Sequence, residues 1–231
     1  MKPRILDLFC GAGGAAMGYH RAGFEVVGVD IKPQPNYPFE FHQLDALAVL
    51  RRSTFAGHHL AHYFDAIHAS PPCQAHTTMS NRWRGAGGKA DDHLNLIPAT
   101  RDLLNETGLP WVIENVPGAR AHLRSPITLN GWTMGLPRLD RPRLFEMNWW
   151  AFSVPRVSPP DPVGVYGKHP DGRLLWARAD GTEQRAAKSL EEAREVMGIG
   201  WMDWRELCEA IPPAYTEFIG TQLMAHLKVA A

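Results

Sequence analysis

Strand-sized apolar runs alternate with helical stretches through the first half of this chain, and each run ends in residues that carry chemistry. Ile5-Leu6-Asp7-Leu8-Phe9 reads as a strand, and a glycine-rich turn leads from it into a helix through Ala15–Ala22. Glu25-Val26-Val27-Gly28-Val29 reads as a second strand that ends at Asp30, and Asp45–Arg52 as a short helix. A third strand, Tyr63–Ala69, stops before Ser70. A helix through about Asn105 then leads to the strand Trp111-Val112-Ile113-Glu114. Strands separated by helices imply βαβ units, so the chain is expected to be an α/β protein with a mostly parallel sheet and right-handed crossovers.

The pattern changes after Asn115. Pro126–Asn130 and Arg143–Met147 read as strands joined by turns, whereas Trp149 to Lys188 is rich in Pro, Gly and Trp without a clear period. We expect a small irregular excursion there. Ser189-Leu190-Glu191-Glu192 has the spacing of a capping box opening a helix that stops at Gly198. Asp203 is placed to cap another, and Tyr215, Ile219, Leu223 and Leu227 line one face of a last helix. The expected division is therefore 1–148, 149–188 and 189–231.

The bulk numbers exclude more than they select. With 231 residues, 45% hydrophobic and 21% charged, the chain has enough apolar surface for a good core. A net charge of +0 gives no global sign of a nucleic-acid binder, although a local basic patch is compatible with it. No apolar run is long enough to span a membrane, and Met1-Lys2-Pro3-Arg4 enters a strand pattern without a secretory core. Three cysteines without paired spacing suit a reducing cytosol better than a disulfide framework. The cluster His58-His59-x-x-His62 lacks companion Cys or acidic ligands, so a surface is favoured over a metal site.

Four strand ends carry the candidate chemistry. Phe9-Cys10-Gly11-Ala12-Gly13-Gly14 lies between strand and helix, where glycines let a ligand approach the backbone at a helix N-terminus, although a structural turn reads equally. Asp30 stands roughly 20 residues beyond the first of these glycines, the spacing at which an acid can reach ribose hydroxyls. Together they point to a nucleoside-containing cofactor. Asp45 is a candidate for the adenine edge or, equally, a helix cap. In Ser70-Pro71-Pro72-Cys73-Gln74 two prolines restrict the backbone before a cysteine, as a fixed nucleophile requires, and a buried structural cysteine is the alternative. Glu114-Asn115-Val116 puts a carboxyl at another strand end, where an apolar site would keep it partly protonated and able to bond a ring nitrogen and exocyclic amine. Arg141-Pro142-Arg143 offers contacts to a base carbonyl and a phosphate.

In these motifs and their order the chain resembles the DNA cytosine-5 methyltransferases, over nearly its whole length. Asp7–Gly14 looks like that family's cofactor loop, Pro72-Cys73-Gln74 its nucleophile motif, Glu114-Asn115-Val116 its base-binding motif and Arg141-Pro142-Arg143 its Arg-x-Arg motif. Arg194–Gly198 and Ala210-Ile211-Pro212-Pro213 resemble the two motifs that close the fold. The resemblance implies a Rossmann-like S-adenosylmethionine-dependent methyltransferase fold. It implies Cys73, Glu114, Arg141 and Arg143 as the catalytic set. Phe9, Gly11, Gly13, Gly14, Asp30, Ile31, Asp45 and Pro72 would hold S-adenosyl-L-methionine.

Double-stranded DNA is the implied substrate, with a flipped cytosine under a lid at His76–Asp92 that contains Trp83. The implied setting is a monomer in the cytoplasm of a bacterium or a phage-infected cell, with or without a paired restriction nuclease. The family's recognition region is reduced here to about forty residues, where Arg156, Lys168, His169, Arg173, Trp176, Arg178 and Arg185 are candidate contacts, and a short or degenerate target is expected. Same-fold enzymes acting on RNA cytosine or transferring another group, and a non-catalytic binding derivative, are the competing readings.

Overall fold

The β-branched runs of the first half pair as the alternation predicts. The computed structural model describes residues 2–72, 95–177 and 181–230. Cys73, the lid segment His76–Asp92 and Arg178 therefore lie outside the described residues. Strands β1 (Arg4–Leu8), β2 (Glu25–Asp30) and β3 (Glu40–Gln43) are followed by the two-residue strands β4 (Thr54–Phe55) and β5 (His58–His59), which form a separate hairpin. β6 (Ala66–Ala69), β7 (Trp111–Asn115), β8 (Ile127–Leu129) and β9 (Arg143–Met147) complete a main sheet of order β3-β2-β1-β6-β7-β9-β8. Its first five strands are parallel, and β9 runs antiparallel to both β7 and β8. β1 is central, and both of its neighbours pair with it in register, so that Asp7 lies beside Gly28 on one side and His68 on the other.

Helices cover both faces. Helix α1 (Gly14–Arg21) packs against a long C-terminal helix, α7 (Pro213–Ala230), over a core that includes Ile5, Tyr19, Val26, Val112, Phe145, Tyr215, Ile219 and Leu223. The opposite face is filled by Leu6, Leu8, Val27, Ile67 and Ile113 under α2 (Ala46–Arg52), α3 (Leu60–Tyr63) and α4 (Ile97–Glu106). No helix among the described residues is long and apolar enough to cross a membrane.

The segment expected to be irregular contains a small sheet instead. β10 (Val163–Gly164), β12 (Glu183–Ala186) and β11 (Leu174–Ala177) pair in that order, and a bridge from Leu139 to Val163 ties them to the body. Strands of two to four residues, interrupted by a register shift between Leu174 and Trp176, are too short to leave a period in the sequence. Helix α5 (Leu190–Met197) has half of its expected capping box. Ser189 accepts from the Glu192 amide, but the Glu192 carboxylate turns to the Lys188 amide and the Arg185 guanidinium. Asp203 and Glu206 form the full box at α6 (Trp204–Glu209).

A buried ion pair fastens α4 to β9. Arg101 meets both oxygens of Glu146, at 2.5 and 2.7 Å, and donates to the His122 carbonyl, while Glu146 also accepts from the Arg124 amide. Removing one member leaves the other charge buried and alone, which costs about 3–5 kcal/mol. Glu146→Ala should therefore lose stability on that scale in urea unfolding. An unchanged midpoint would show that the pair carries none of the fold's stability.

Candidate active site

The carboxyl ends of β1, β2, β6 and β7 open on one rim, where parallel sheets present their ligand sites. At the end of β1 the backbone turns sharply at Phe9, whose φ of 58° is left-handed in a residue with a bulky side chain. Such strain costs about 1–3 kcal/mol and collects at functional positions. The turn is held by the Cys10 amide donating to Val29 and by the Gly11 amide donating to Asp30 Oδ2 at 3.1 Å. Asp30 Oδ1 accepts from the Lys32 amide. Asp30 therefore fixes the glycine turn against the end of β2, and its remaining lone pairs stay available. Ile31 beside it is 65% exposed, an apolar side chain left open among the described residues.

The glycines here are steric requirements. A Cβ on Gly14 would stand 2.3 Å from the Ile211 carbonyl oxygen, so α1 could not start where it does against the Ile211-Pro212-Pro213 segment. A Cβ on Gly28 would meet the Tyr37 ring at 2.3 Å. Tyr37 is a site residue that the sequence reading missed. Its own loop carries no periodicity, but a glycine inside the valine-rich run of β2 was the available signal for a close approach. Behind the turn lies Asp7, fully buried, with neither carboxyl oxygen hydrogen-bonded. Burial and the nearby Asp30 push its pKa well up, and the Tyr37 hydroxyl opposes that rise.

Asp45 sits on the same rim as the N-cap of α2, its Oδ1 accepting from the Leu47 and Ala48 amides. The helix-cap reading thus describes what Asp45 does in this structure.

The second half of the site joins β6, β7 and β9. Pro71 is buried and Pro72 exposed at the end of β6, and the Asn115 side chain donates to the Pro71 carbonyl at 3.0 Å. This bond fixes the backbone immediately before Cys73 to the end of β7. Glu114 is 6% exposed, and its Oε1 lies 3.0 Å from Arg143 Nε without an aligned hydrogen bond. Burial raises the Glu114 pKa, while Arg143, the Ser70 hydroxyl and Arg141 pull it back down. A carboxyl balanced in this way can exchange a proton with a bound base.

Arg141 goes elsewhere. It is 1% exposed, its guanidinium donates to the Val165 and Cys208 carbonyls, and its amide and carbonyl are held by Asn130 and Tyr215. The expected base or phosphate contact is corrected on this ground: burial and these bonds make Arg141 the pin between β10, the end of α6 and the start of β9. Sequence gave no sign of it, because Arg141 and Arg143 stand two residues apart on one exposed-looking motif. Three of the arginines expected to meet DNA are likewise engaged. Arg185 pairs with Glu192, Arg156 with Asp140 and Arg173 with Asp171.

A chain of polar side chains, two of them fully buried, runs behind Glu114. The Tyr19 hydroxyl is 2.9 Å from His68 Nδ1, and His68 Nε2 is 2.8 Å from the Ser70 hydroxyl. The sequence reading passed over both Tyr19 and His68. A histidine within the apolar run of β6 was the signal for them.

Known proteins share part of this sequence and its fold. Residues 3–136 match the family model described as C-5 cytosine-specific DNA methylase. The Type II methyltransferase M.HgiDI of Herpetosiphon aurantiacus is 30% identical over 125 residues, 51% of this chain and 38% of that protein. The Type II methyltransferase M.AgeI of Thalassovita gelatinovora is 26% identical over 197 residues, 71% of this chain and 43% of that protein. The chain thus spans about two fifths of the length of these two curated relatives. Among solved structures, a prophage-encoded E. coli protein assigned as a DNA modification methyltransferase shares the fold. Its TM-score is 0.62 at 17% identity, covering 98% of this chain and 99% of that one.

Burial holds His68 neutral, with its pKa lowered from 6.5 to about 3. The unfolded chain therefore takes up a proton at His68 near pH 6.5 that the folded protein refuses until about pH 3. The stability that neutral His68 contributes is complete above pH 6.5 and is lost as the pH falls below it. Urea midpoints followed from pH 7 to pH 4 should fall, and His68→Gln should flatten that decline. An equally steep decline in the variant would assign it to other groups.

Proposed function

The chain belongs to the C-5 cytosine-specific DNA methylase family, and on that premise we propose that it methylates carbon 5 of cytosine in double-stranded DNA. The methyl donor would be S-adenosyl-L-methionine, and the reaction would run through a covalent adduct of Cys73 with a flipped base. The observation that supports this reading most is the Glu114–Arg143 pair beside the Pro71-Pro72 backbone, which Asn115 holds in place.

The rim suits such a cofactor. Asp7 is a buried carboxyl without a hydrogen bond, and a cationic ligand on the far side of the turn would compensate it. Asp30 has lone pairs free for ribose hydroxyls. Phe9 and Ile31 offer two apolar surfaces for a purine, and Gly11 leaves open space at the turn, whereas Gly13 and Gly14 give theirs to Tyr37, Pro38 and Ile211 and would meet the cofactor through their backbone; Pro72 stands exposed at the end of β6. Asp45 can reach an adenine edge only with the oxygen that its helix cap leaves over. When bound, S-adenosyl-L-methionine supplies an electrophilic methyl group on a sulfonium sulfur.

This chain's own residues do the rest. Carbon 5 of cytosine is a poor nucleophile until a thiolate adds at carbon 6, and Cys73 is the residue whose sulfur would form that bond. As it forms, the electron pair of the 5,6 double bond moves toward the ring nitrogen N3 and oxygen O2. Glu114 in its protonated form donates to N3 and accepts from the exocyclic amine, its proton passing to N3 as the adduct forms, and Arg143 faces O2. After carbon 5 has taken the methyl group, water removes its proton, the C–H electron pair re-forms the 5,6 double bond, and the bond between carbon 6 and sulfur breaks to release the Cys73 thiolate. Arg141 acts by holding the strand that carries Arg143 in place. A base stacked in a duplex cannot enter this rim, so the cytosine must leave the helix. Residues 149–188 form the reduced target-recognition region, which would meet the flanking DNA.

Isothermal calorimetry should show S-adenosyl-L-methionine or its demethylated product binding, and no comparable heat from a nicotinamide dinucleotide. The opposite preference would overturn the cofactor assignment.

DNA containing 5-fluorocytosine should trap a covalent complex, because fluorine does not leave as a proton does. Cys73→Ser should abolish the trapped band, and Cys10→Ser and Cys208→Ser should keep it. A band that survives Cys73→Ser would rule out the assigned nucleophile.

A further inference from the structure

Glu114 is the only carboxyl in the site that would touch the base, and its proton balance depends on what stands behind it. Three side chains from three elements are lined up there. Tyr19 comes from α1, His68 from β6, and Ser70 from the turn that follows it, with separations of 2.9 and 2.8 Å between successive polar atoms. Tyr19 and His68 are both fully buried. Neither takes part in the chemistry proposed above.

The direction of the bonds follows from counting donors. If His68 carried its proton on Nδ1, that proton would point at Tyr19, and the Tyr19 hydroxyl hydrogen would need a further acceptor. No such acceptor for Tyr19 exists among the described residues. If the proton sits on Nε2, every donor is satisfied. Tyr19 then donates to Nδ1, Nε2 donates to Ser70, and the Ser70 hydroxyl hydrogen is left for Glu114, whose carboxyl it acts on. Buried donors and acceptors favour the arrangement that leaves none unpaired.

We propose that Tyr19, His68 and Ser70 form a one-way hydrogen-bond chain that aims the Ser70 hydroxyl hydrogen at Glu114 and weakens its hold on a proton, with His68 and Tyr19 acting as positioning residues. This rests on the reading of Glu114 as the group that holds the base.

The other charged and titratable groups packed around the chain are Asp7 on β1, Arg141 and Arg143 at the start of β9, and Tyr215 on α7. Burial first, and then the charges of Asp7 and Glu114, raise the cost of ionising Tyr19, so its hydroxyl stays a donor. Arg143 and Arg141 work on Glu114 in the same sense as Ser70. The chain therefore supplies an increment on top of the arginines. Because His68 stays neutral through the physiological range, that increment does not switch off with mild acid.

The test reads Glu114 directly, on the full chain and without DNA or cofactor. Carbon-13 NMR of glutamate-labelled protein, assigned by the resonance missing in Glu114→Gln, gives the midpoint of its titration. Ser70→Ala should raise that midpoint by roughly one pH unit, the scale of one lost hydrogen bond to a carboxylate. Tyr19→Phe keeps the ring in the core and removes only the far hydroxyl. It should shift the midpoint upward by less, because His68 is then free to turn its proton to Nδ1 and accept from Ser70.

A Tyr19→Phe midpoint equal to wild type would overturn the proposal. Nitrogen-15 NMR of His68 in the unaltered protein provides a measurement that needs no variant except for assignment. Protonated Nε2 is expected, and protonated Nδ1 would overturn the proposal. Neither measurement uses methylation, so a failed chain leaves 5-fluorocytosine trapping intact, and failed trapping leaves these readings intact.

Discussion

The reversal of one strand is the constraint on which this site depends. β1, β2, β6 and β7 all run the same way, so their carboxyl ends alone meet at the rim, and a further parallel strand would have brought only its last residue there. β9 runs antiparallel to β7, with Phe145 opposite Glu114 and Leu144 opposite Asn115. Its first residue, Arg143, therefore arrives at the end where β7 finishes. That is how a glutamate and an arginine from opposite ends of their strands come within 3.0 Å in a nearly water-free position. Desolvation makes such a pair expensive unless its geometry is good, and the same desolvation gives it leverage on a proton. Arg141 and Tyr215 serve this reversal. Both hold the chain where it enters β9, one through its guanidinium and the other through a hydroxyl that donates to the Arg141 carbonyl.

Beneath the rim, the sheet face under α1 is unusually polar for a core. Asp7, Tyr19, His68 and Glu114 are all buried there, beside apolar neighbours such as Ile5, Ala66 and Val112. Burying polar groups costs stability unless each finds a partner. Tyr19 and His68 solve this by pairing with each other and with Ser70, and Glu114 by lying against Arg143. Asp7 has no aligned hydrogen bond among the described residues, and the nearby Tyr37 hydroxyl compensates it only in part. The two conditions differ in consequence: a closed set of bonds gives a rigid wall, whereas an open carboxyl gives a place where a ligand's charge is worth more than it would be in water.

Much of this was legible in the sequence, for a physical reason. Strand ends in a parallel sheet are marked twice, once by the end of an apolar run and again by the chemistry that follows, so Phe9–Gly14, Asp30, Ser70–Pro72 and Glu114–Val116 could be placed on one rim without a structure. Boundaries fell within a few residues wherever a cap was present, as at Asp203 and Gly198. What the sequence hid was tertiary. Nothing local to Arg141 tells that its guanidinium ends on carbonyls of residues 165 and 208, far along the chain. Asp45 had two local readings, and the helix cap is the one its neighbours' amides support. The strands between 163 and 186 are too short to show alternation, and Tyr37 is explained only by the flat space that Gly28 leaves for its ring.

The recognition side follows a different logic from the rim. A family that reads DNA would be expected to carry cations free for phosphates, yet the chain is neutral overall, and several of its candidate cations already have acidic partners. Arg138 and Arg185 converge on Glu192, whose pKa is lowered to about 2, mainly by Arg185. Arg138 also meets Asp161, and Arg173 meets Asp171. These pairs are partly exposed, where each is worth about 1 kcal/mol or less. Their importance is therefore organisational: they hold β12 against α5 and the loop before β10 against the body. A phosphate approaching Arg185 would have to compete with a carboxylate that also holds the Lys188 amide. Charge on this face thus shapes the small sheet before any of it is left for a ligand.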